Sequence, residues 1–357
     1  MAEKNSDDKL FDKINQKIQE QINKMLETKN ISTIEFLDDE DTVTEFVDSG
    51  FAAMNYIITG DLEKGYPVGR ITEIAGDPST GKTLLATIAA VNSLRKGYIT
   101  YFLDGEQAYD VNFAKLIAKT MGLNPEIVKK INYKEVDKIE EVTQIVTSIV
   151  DVFEKNKIET GAAIILDGLA FLTTTKETED IMKNREKVDM TKAKLIRQFM
   201  RVIKNKLKHL NICLIITNQL TYNIGVMYGD PKTTTGGTAI PFASSVRIRI
   251  NSKKIEDNNK RFAGLLIRAK CKKNRLTRPF RETEFPILFN GKINKWDGLL
   301  DTLLWDGIIT KANNQTYKIK DTNISFMRRE FEQKVIKNQE NYNILKEKIK
   351  KFNEEGE

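Results

Sequence analysis

Short apolar runs alternate with amphipathic stretches through the middle of the chain. From Ile71 onward the order is ITEIAG, the helical-period stretch TLLATIAAVNSLRKG, the run ITYFLDGE and a helix over residues 113–121. AAIILDGLAF, a basic helix over residues 189–210, CLIITNQL, VRIRI and LLIRAKCK follow. Strand-length runs separated by helices predict an α/β fold with a largely parallel sheet covered on both faces. VRIRI and LLIRAKCK have no long helix between them, which predicts an antiparallel edge.

The flanks differ. Leu10, Ile14, Ile18, Ile22 and Met25 recur at helical spacing between charged residues, so an amphipathic helix precedes the core, followed by a strand-like run over residues 31–37. Such a helix packs either on its own domain or on a neighbouring subunit. After Trp296 the chain becomes lysine-rich and is expected to be helical, ending in KEKIKKFNEEGE. A length of 357 residues suits one large core with smaller pieces at its ends. The expected division is 1–45 (oligomerisation helix and strand), 46–297 (core) and 298–357 (small helical basic subdomain).

Hydrophobic residues at 40% and charged residues at 30% give the balance of a water-soluble globular chain. No apolar run approaches membrane-spanning length, and the first residues lack the basic-then-apolar order of a signal peptide, so a cytoplasmic location without membrane contact is expected. Cys213 and Cys271 have no metal-ligand spacing and read as buried thiols, and the single histidine, His209, has no partner for triad or metal chemistry. The net charge of +7 permits a polyanionic partner without requiring one.

Gly76, Asp77, Pro78, Ser79, Thr80, Gly81, Lys82 and Thr83 match G-x-x-x-x-G-K-S/T in full, after an apolar strand and before the helix that continues with Leu84. In that setting consecutive backbone N–H groups curl around phosphate oxygens, Lys82 reaches the β- and γ-phosphates of ATP, and the Thr83 hydroxyl ligates Mg2+. The apolar strand over residues 162–166 ends in Asp167, a carboxylate suited to hold magnesium through water. The strand over residues 99–103 runs into Asp104-Gly105-Glu106, which makes Glu106 the candidate general base, against the alternative of a solvated loop acid. Gln219 ends the strand that starts at Cys213, where an uncharged amide can sense the γ-phosphate.

Residues 220–238, LTYNIGVMYGDPKTTTGGT, form a long small-polar segment directly after that sensor, a position that favours a ligand-gated binding loop. In the basic helix Lys194, Arg197, Arg201, Lys204 and Lys208 form one stripe, while Leu195, Phe199, Met200, Ile203 and Leu207 mark its buried side. Such a stripe is either a solvated face or, turned toward a groove, a phosphate-binding one.

At this point the residues identify a family. NQLTYNIGVMYGDPKTTTGGTAIPFASSVRIRI, residues 218–250, resembles bacterial RecA nearly residue for residue. KETEDIMKNREKVDMTKAK, residues 176–194, and Gly298-Leu299-Leu300-Asp301 resemble instead the phage recombinase UvsX of the T4 type. The resemblance spans roughly residues 47–305 and implies a RecA-like P-loop ATPase core in a phage-type recombinase. By that resemblance Glu106 is the catalytic glutamate and Gln219 the γ-phosphate sensor, and Asp110 and Phe113 contact adenine. Lys273 and Arg275 reach the ATP of an adjacent subunit, and Phe242 lies between protomers. Lys194, Arg197 and Arg201 beside the first DNA loop, with Tyr222, Asn223, Ile224, Thr235, Gly236, Gly237 and Thr238 in the second, contact DNA. The implied partners are single-stranded DNA, then homologous duplex DNA, and copies of the chain in a helical filament, with single-strand-binding and loader proteins beside them.

The chain departs from the bacterial pattern at Thr221 and Asn223, which replace basic positions, and at Lys232, which replaces an acid. The first loop is acidic at Glu177, Glu179 and Asp180, and the acidic tail is reduced to Glu354, Glu355 and Glu357. Two other functions share part of this constellation. A ring-forming helicase of the same fold would need a motor domain or linker helix beyond these elements, and a recombination mediator would use ATP only to switch assembly.

Overall fold

The computed structural model describes residues 4–28, 43–183, 191–222 and 232–355. Its contacts divide the chain into two units, residues 1–43 and 44–357. In the first, α1 (Lys4–Glu27) is the expected amphipathic helix, with Ile14, Ile18, Ile22 and Met25 exposed along it. The strand expected over residues 31–37 lies outside the described residues.

The second unit opens with β1 (Phe46–Val47), α2 (Ala52–Thr59), β2 (Tyr66–Pro67), β3 (Ile71–Gly76), α3 (Lys82–Arg95), β4 (Ile99–Asp104) and α4 (Val111–Thr120). It continues through β5 (Asn132–Glu135), α5 (Ile139–Lys155), β6 (Ala162–Asp167), α6 (Thr175–Met182), α7 (Thr191–Leu207), β7 (Ile212–Tyr222), β8 (Lys232–Thr234) and α8 (Ala239–Ala243). The long hairpin of β9 (Val246–Glu256) and β10 (Phe262–Asn274) follows, with β11 (Glu282–Leu288) beside it. The chain then forms α9 (Leu299–Trp305), β12 (Ile309–Lys311), β13 (Thr316–Ile319), β14 (Ser325–Met327) and α10 (Gln339–Glu355).

The main sheet has the order β11-β10-β9-β3-β7-β6-β4-β5, with β8 added to β7. From β9 to β5 every pairing is parallel, whereas β9 with β10 and β10 with β11 are antiparallel, which is the edge the two uninterrupted apolar runs predicted. The central strands β3 and β6 are buried at every residue, as a parallel sheet covered on both faces requires. One face packs α2, α3, α4 and α9 around Phe51, Tyr56, Ile88 and Phe285. The other packs α5 and α7 around Val146, Phe199, Ile203 and Ile216.

The last part of the chain corrects the expectation of a helical subdomain. β12, β13 and β14 form a three-stranded antiparallel sheet between α9 and α10. These strands are three or four residues long, too short for an alternating pattern to register. The segment docks through Arg281, which is 8% exposed and lies between the rings of Tyr56 and Phe352. Arg281 also donates to Asn353 (2.6 Å) and pairs with Asp306 (3.3 Å), so α10 and α9 are tied to one buried cation.

Candidate nucleotide and nucleic-acid sites

The phosphate-binding loop begins where β3 ends and α3 starts. Gly76 is held between the Thr80 hydroxyl and Ile250, since a Cβ there would stand 2.4 Å from Thr80 Oγ1 and 2.9 Å from Ile250 Cγ1. Gly81 enters α3 at a φ of 92°, a left-handed conformation that glycine adopts without penalty. Lys82 is buried and turns back onto its own loop, donating to the carbonyls of Asp77 (2.9 Å) and Gly76 (3.3 Å). Burial lowers its pKa, while the charges of Glu106, Asp167 and Asp77 act in the opposite direction. Thr80 closes the loop by donating to Asp77 O (2.8 Å); Pro78 and Ser79 are exposed at its crest, and Leu84 packs against the core.

Strand order brings the carboxylates to this loop. β4 and β6 pair in register so that Asp104 stands opposite Asp167, and the Gly105 and Glu106 amides both donate to the Asp167 carbonyl. Asp104 is fully buried and accepts from the amides of Glu106 (3.2 Å) and Tyr109 (3.0 Å) and from the Tyr133 hydroxyl (3.1 Å). It thereby sets the turn that carries Glu106. Neither Asp104 nor Tyr133 stood out in the sequence, because their role depends on strands that meet only in the fold.

Burial raises the Glu106 pKa, and the neighbouring Asp167 charge raises it further while Lys82 lowers it. Burial likewise raises that of Asp167, opposed by hydrogen bonds from the hydroxyls of Thr217 and Thr83. Glu106 Oε2 and Asp167 Oδ2 are buried and have no hydrogen-bond partner among the described residues. Two carboxylate oxygens left this way, beside a threonine hydroxyl and a lysine, fit a hydrated divalent cation with its phosphate. Gln219 stands opposite Gly76 in the β3–β7 pairing, next to the start of the phosphate loop.

Two other residues expected at the nucleotide have structural tasks in the fold. The Asp110 carboxylate caps α4, accepting from the amides of Asn112 (2.8 Å) and Phe113 (3.2 Å). Phe113 is 7% exposed and belongs to the core cluster, so its ring lies mostly against the protein.

Lys273 and Arg275 lie elsewhere. Asn274 pairs with Val246, and Val246 with Thr72, so both cations sit near the start of β3, four residues and about 13 Å of extended chain from Gly76. Lys273 donates to the carbonyl of Pro241 (2.6 Å) and Arg275 to that of Phe242 (3.3 Å), below a Phe242 side chain that is 70% exposed. Burial, with the charges of Arg275, Arg247 and Lys204, lowers the pKa of Lys273 to about 8.

The basic stripe keeps Lys194, Arg197, Arg201 and Lys204 exposed on α7, and Lys208 exposed in the turn just after it. Its buried side is Ile196, Phe199, Met200, Ile203 and Leu207; Leu195, expected there, is only half-buried and Ile196 takes its place. A Cβ on Gly236 would meet Ile196 Cγ2 at 3.1 Å, so Gly236 lies against the first turns of this helix, whereas a Cβ on Gly237 would meet open space; Thr235 precedes this contact and Thr238 leads into α8. Tyr222 is 61% exposed where β7 ends. Asn223 and Ile224 lie outside the described residues, as does the stretch 184–190 of the acidic first loop. Cys213 and Cys271 are buried free thiols, each raised to about 12 by burial.

Residues 13–294 match the family model described as the RecA N-terminal domain. Protein RecA of Leptospira meyeri is 33% identical over 274 residues, 75% of this chain and 67% of that protein. Protein RecA of Bacteroides thetaiotaomicron is 32% identical over 287 residues, covering 80% and 81% of the two chains, and that of Caulobacter sp. is 32% identical over 282 residues, covering 76% and 74%. With that match over most of its length, and with the G-x-x-x-x-G-K-S/T loop, Glu106, Asp167 and Gln219 brought together on one sheet, the chain belongs to the RecA family.

Proposed function

We propose that this RecA-family protein is an ATP-dependent recombinase that polymerises on single-stranded DNA, pairs it with homologous duplex and exchanges strands, hydrolysing ATP as DNA stimulates it. The observation that carries the reading is the course of β7. It meets the phosphate loop at Gln219 and, through β8 and Thr235–Gly236, returns against the basic helix α7. One strand therefore joins the phosphate loop to the helix that carries the basic stripe.

Lys82 and the loop amides bind the β- and γ-phosphates, and Thr83 with Asp167 would hold magnesium, whose charge offsets that of the phosphates when it is bound. Glu106, raised in pKa yet beside Lys82, accepts a proton from the attacking water. Lys273 and Arg275 reach the phosphates of an adjacent copy, because the far end of the sheet keeps them from their own. Hydrolysis then waits for assembly, as with an arginine finger supplied in trans. The residues 176–194 and 298–301 favour a phage-type relative of UvsX. No described helix is long and apolar enough to cross a membrane.

ATP hydrolysis with and without single-stranded DNA, read beside electron micrographs of the product, tests this reading. Stimulated hydrolysis on helical filaments is expected. Closed rings would favour a helicase, and assembly without strand exchange would favour a mediator.

A further inference from the structure

Glu73 is a carboxylate in the middle of the central sheet, fully buried on β3. Both its oxygens are engaged: Oε1 accepts from Asn218 Nδ2 (3.0 Å) on β7, and Oε2 accepts from Arg247 Nε (2.5 Å) on β9. Register aligns Glu73 with Arg247, and Arg247 with Lys273, in one row across β3, β9 and β10. A buried ion pair contributes less to stability than well-packed apolar residues of the same volume often would, so strength alone does not account for it.

The two partners of Glu73 share a destination. Asn218 also donates to the Thr235 carbonyl (3.0 Å), and Arg247 donates to the Thr234 hydroxyl (3.3 Å), so both grip the closing end of the loop that returns to α7. The Asn218 carbonyl oxygen Oδ1 in turn accepts the amide of Gln219 (2.9 Å), the residue opposite Gly76. A shift of Gln219 toward a γ-phosphate therefore moves an amide that is hydrogen-bonded to Thr235 and oriented by Glu73.

We propose that Glu73 is a positioning residue that couples the nucleotide-sensing end of β7 to the closing end of the DNA loop through Asn218 and Arg247. The proposal rests on the recombinase reading. It adds residues that touch neither ATP nor DNA and act only through their neighbours.

The test uses the full chain carrying Glu73→Gln and, separately, Asn218→Ala, which leaves the Glu73–Arg247 ion pair and its contribution to folding in place. Hydrolysis is measured with and without single-stranded DNA, and affinity for a fluorescent oligonucleotide with and without a non-hydrolysable ATP analogue. KM for ATP in the absence of DNA is expected to stay within about twofold, while DNA stimulation and the analogue-dependent gain in affinity each fall about tenfold, a coupling of ordinary size. If Glu73→Gln fails to fold, Asn218→Ala decides. Wild-type coupling in Asn218→Ala overturns the proposal, and so does an equal loss of ATP affinity without DNA, which would mark a purely structural residue. A wild-type protein whose hydrolysis ignores DNA refutes the recombinase reading itself, whereas a wild-type response shared by both variants refutes the coupling alone.

Discussion

The ammonium of Lys232 lies 2.7 Å from the Asp77 carboxylate, joining β8, which closes the proposed DNA loop, to the G-x-x-x-x-G-K-S/T loop between β3 and α3. Lys232 Nζ also stands 5.1 Å from the Tyr222 ring centroid, and its carbonyl accepts from Arg249 (3.2 Å). Both partners of the pair are partly exposed, at 24% and 36%, and such pairs contribute about 0–1 kcal/mol. A contact of that strength yields readily to a polyanion competing for the lysine.

Asp77→Asn should therefore strengthen nucleotide-free binding to single-stranded DNA and steepen its salt dependence by roughly one counterion, because Lys232 then faces phosphate without an opposing carboxylate. Fluorescence anisotropy against a salt series measures both. An unchanged slope would mean that Lys232 stays away from DNA.

Glu106→Gln keeps the side chain's shape and its place on the Asp104 turn but cannot take a proton. ATP and DNA binding should persist while hydrolysis falls by ~10²-fold or more, the range expected when a general base is removed. Single-turnover hydrolysis beside nucleotide binding separates the two effects, and undiminished turnover would move the base to another residue.

Lys273→Ala combined with Arg275→Ala should leave the phosphate loop able to bind nucleotide, since these cations lie at the other end of β3. DNA-stimulated hydrolysis and the ATP-dependent filament should be lost. Mixing this variant with Lys82→Ala subunits brings together one intact half of the site from each at some junctions. Partial recovery of hydrolysis on single-stranded DNA is expected, where neither variant alone is active. Full stimulated activity in the doubly substituted protein by itself would rule out the trans contact.

Much of the candidate nucleotide site was legible because its chemistry is local. Gly76 to Thr83 is one contiguous run whose backbone must curl around phosphate, and Asp167 and Glu106 each follow an apolar strand whose end is visible in the residue pattern. The alternation of strands and helices likewise determined a covered parallel sheet with an antiparallel edge. α5 carries the same helical signal in Ile139, Val142, Val146 and Val150, yet it lies between β5, whose four residues are all exposed, and β6.

Tertiary structure alone decided what meets across strands. Asp104 and Asp167 come together because β4 and β6 are neighbours, and Gln219 reaches Gly76 because β7 lies beside β3. Glu73 joins residues 145 and 174 positions further along the chain, a pairing with no local signature. Lys273 and Arg275 look equally close to the phosphate loop in a list of basic residues. The antiparallel return of β10 carries them to the opposite end of the sheet, because hydrogen-bond register, unlike residue type, is settled only when the strands pair.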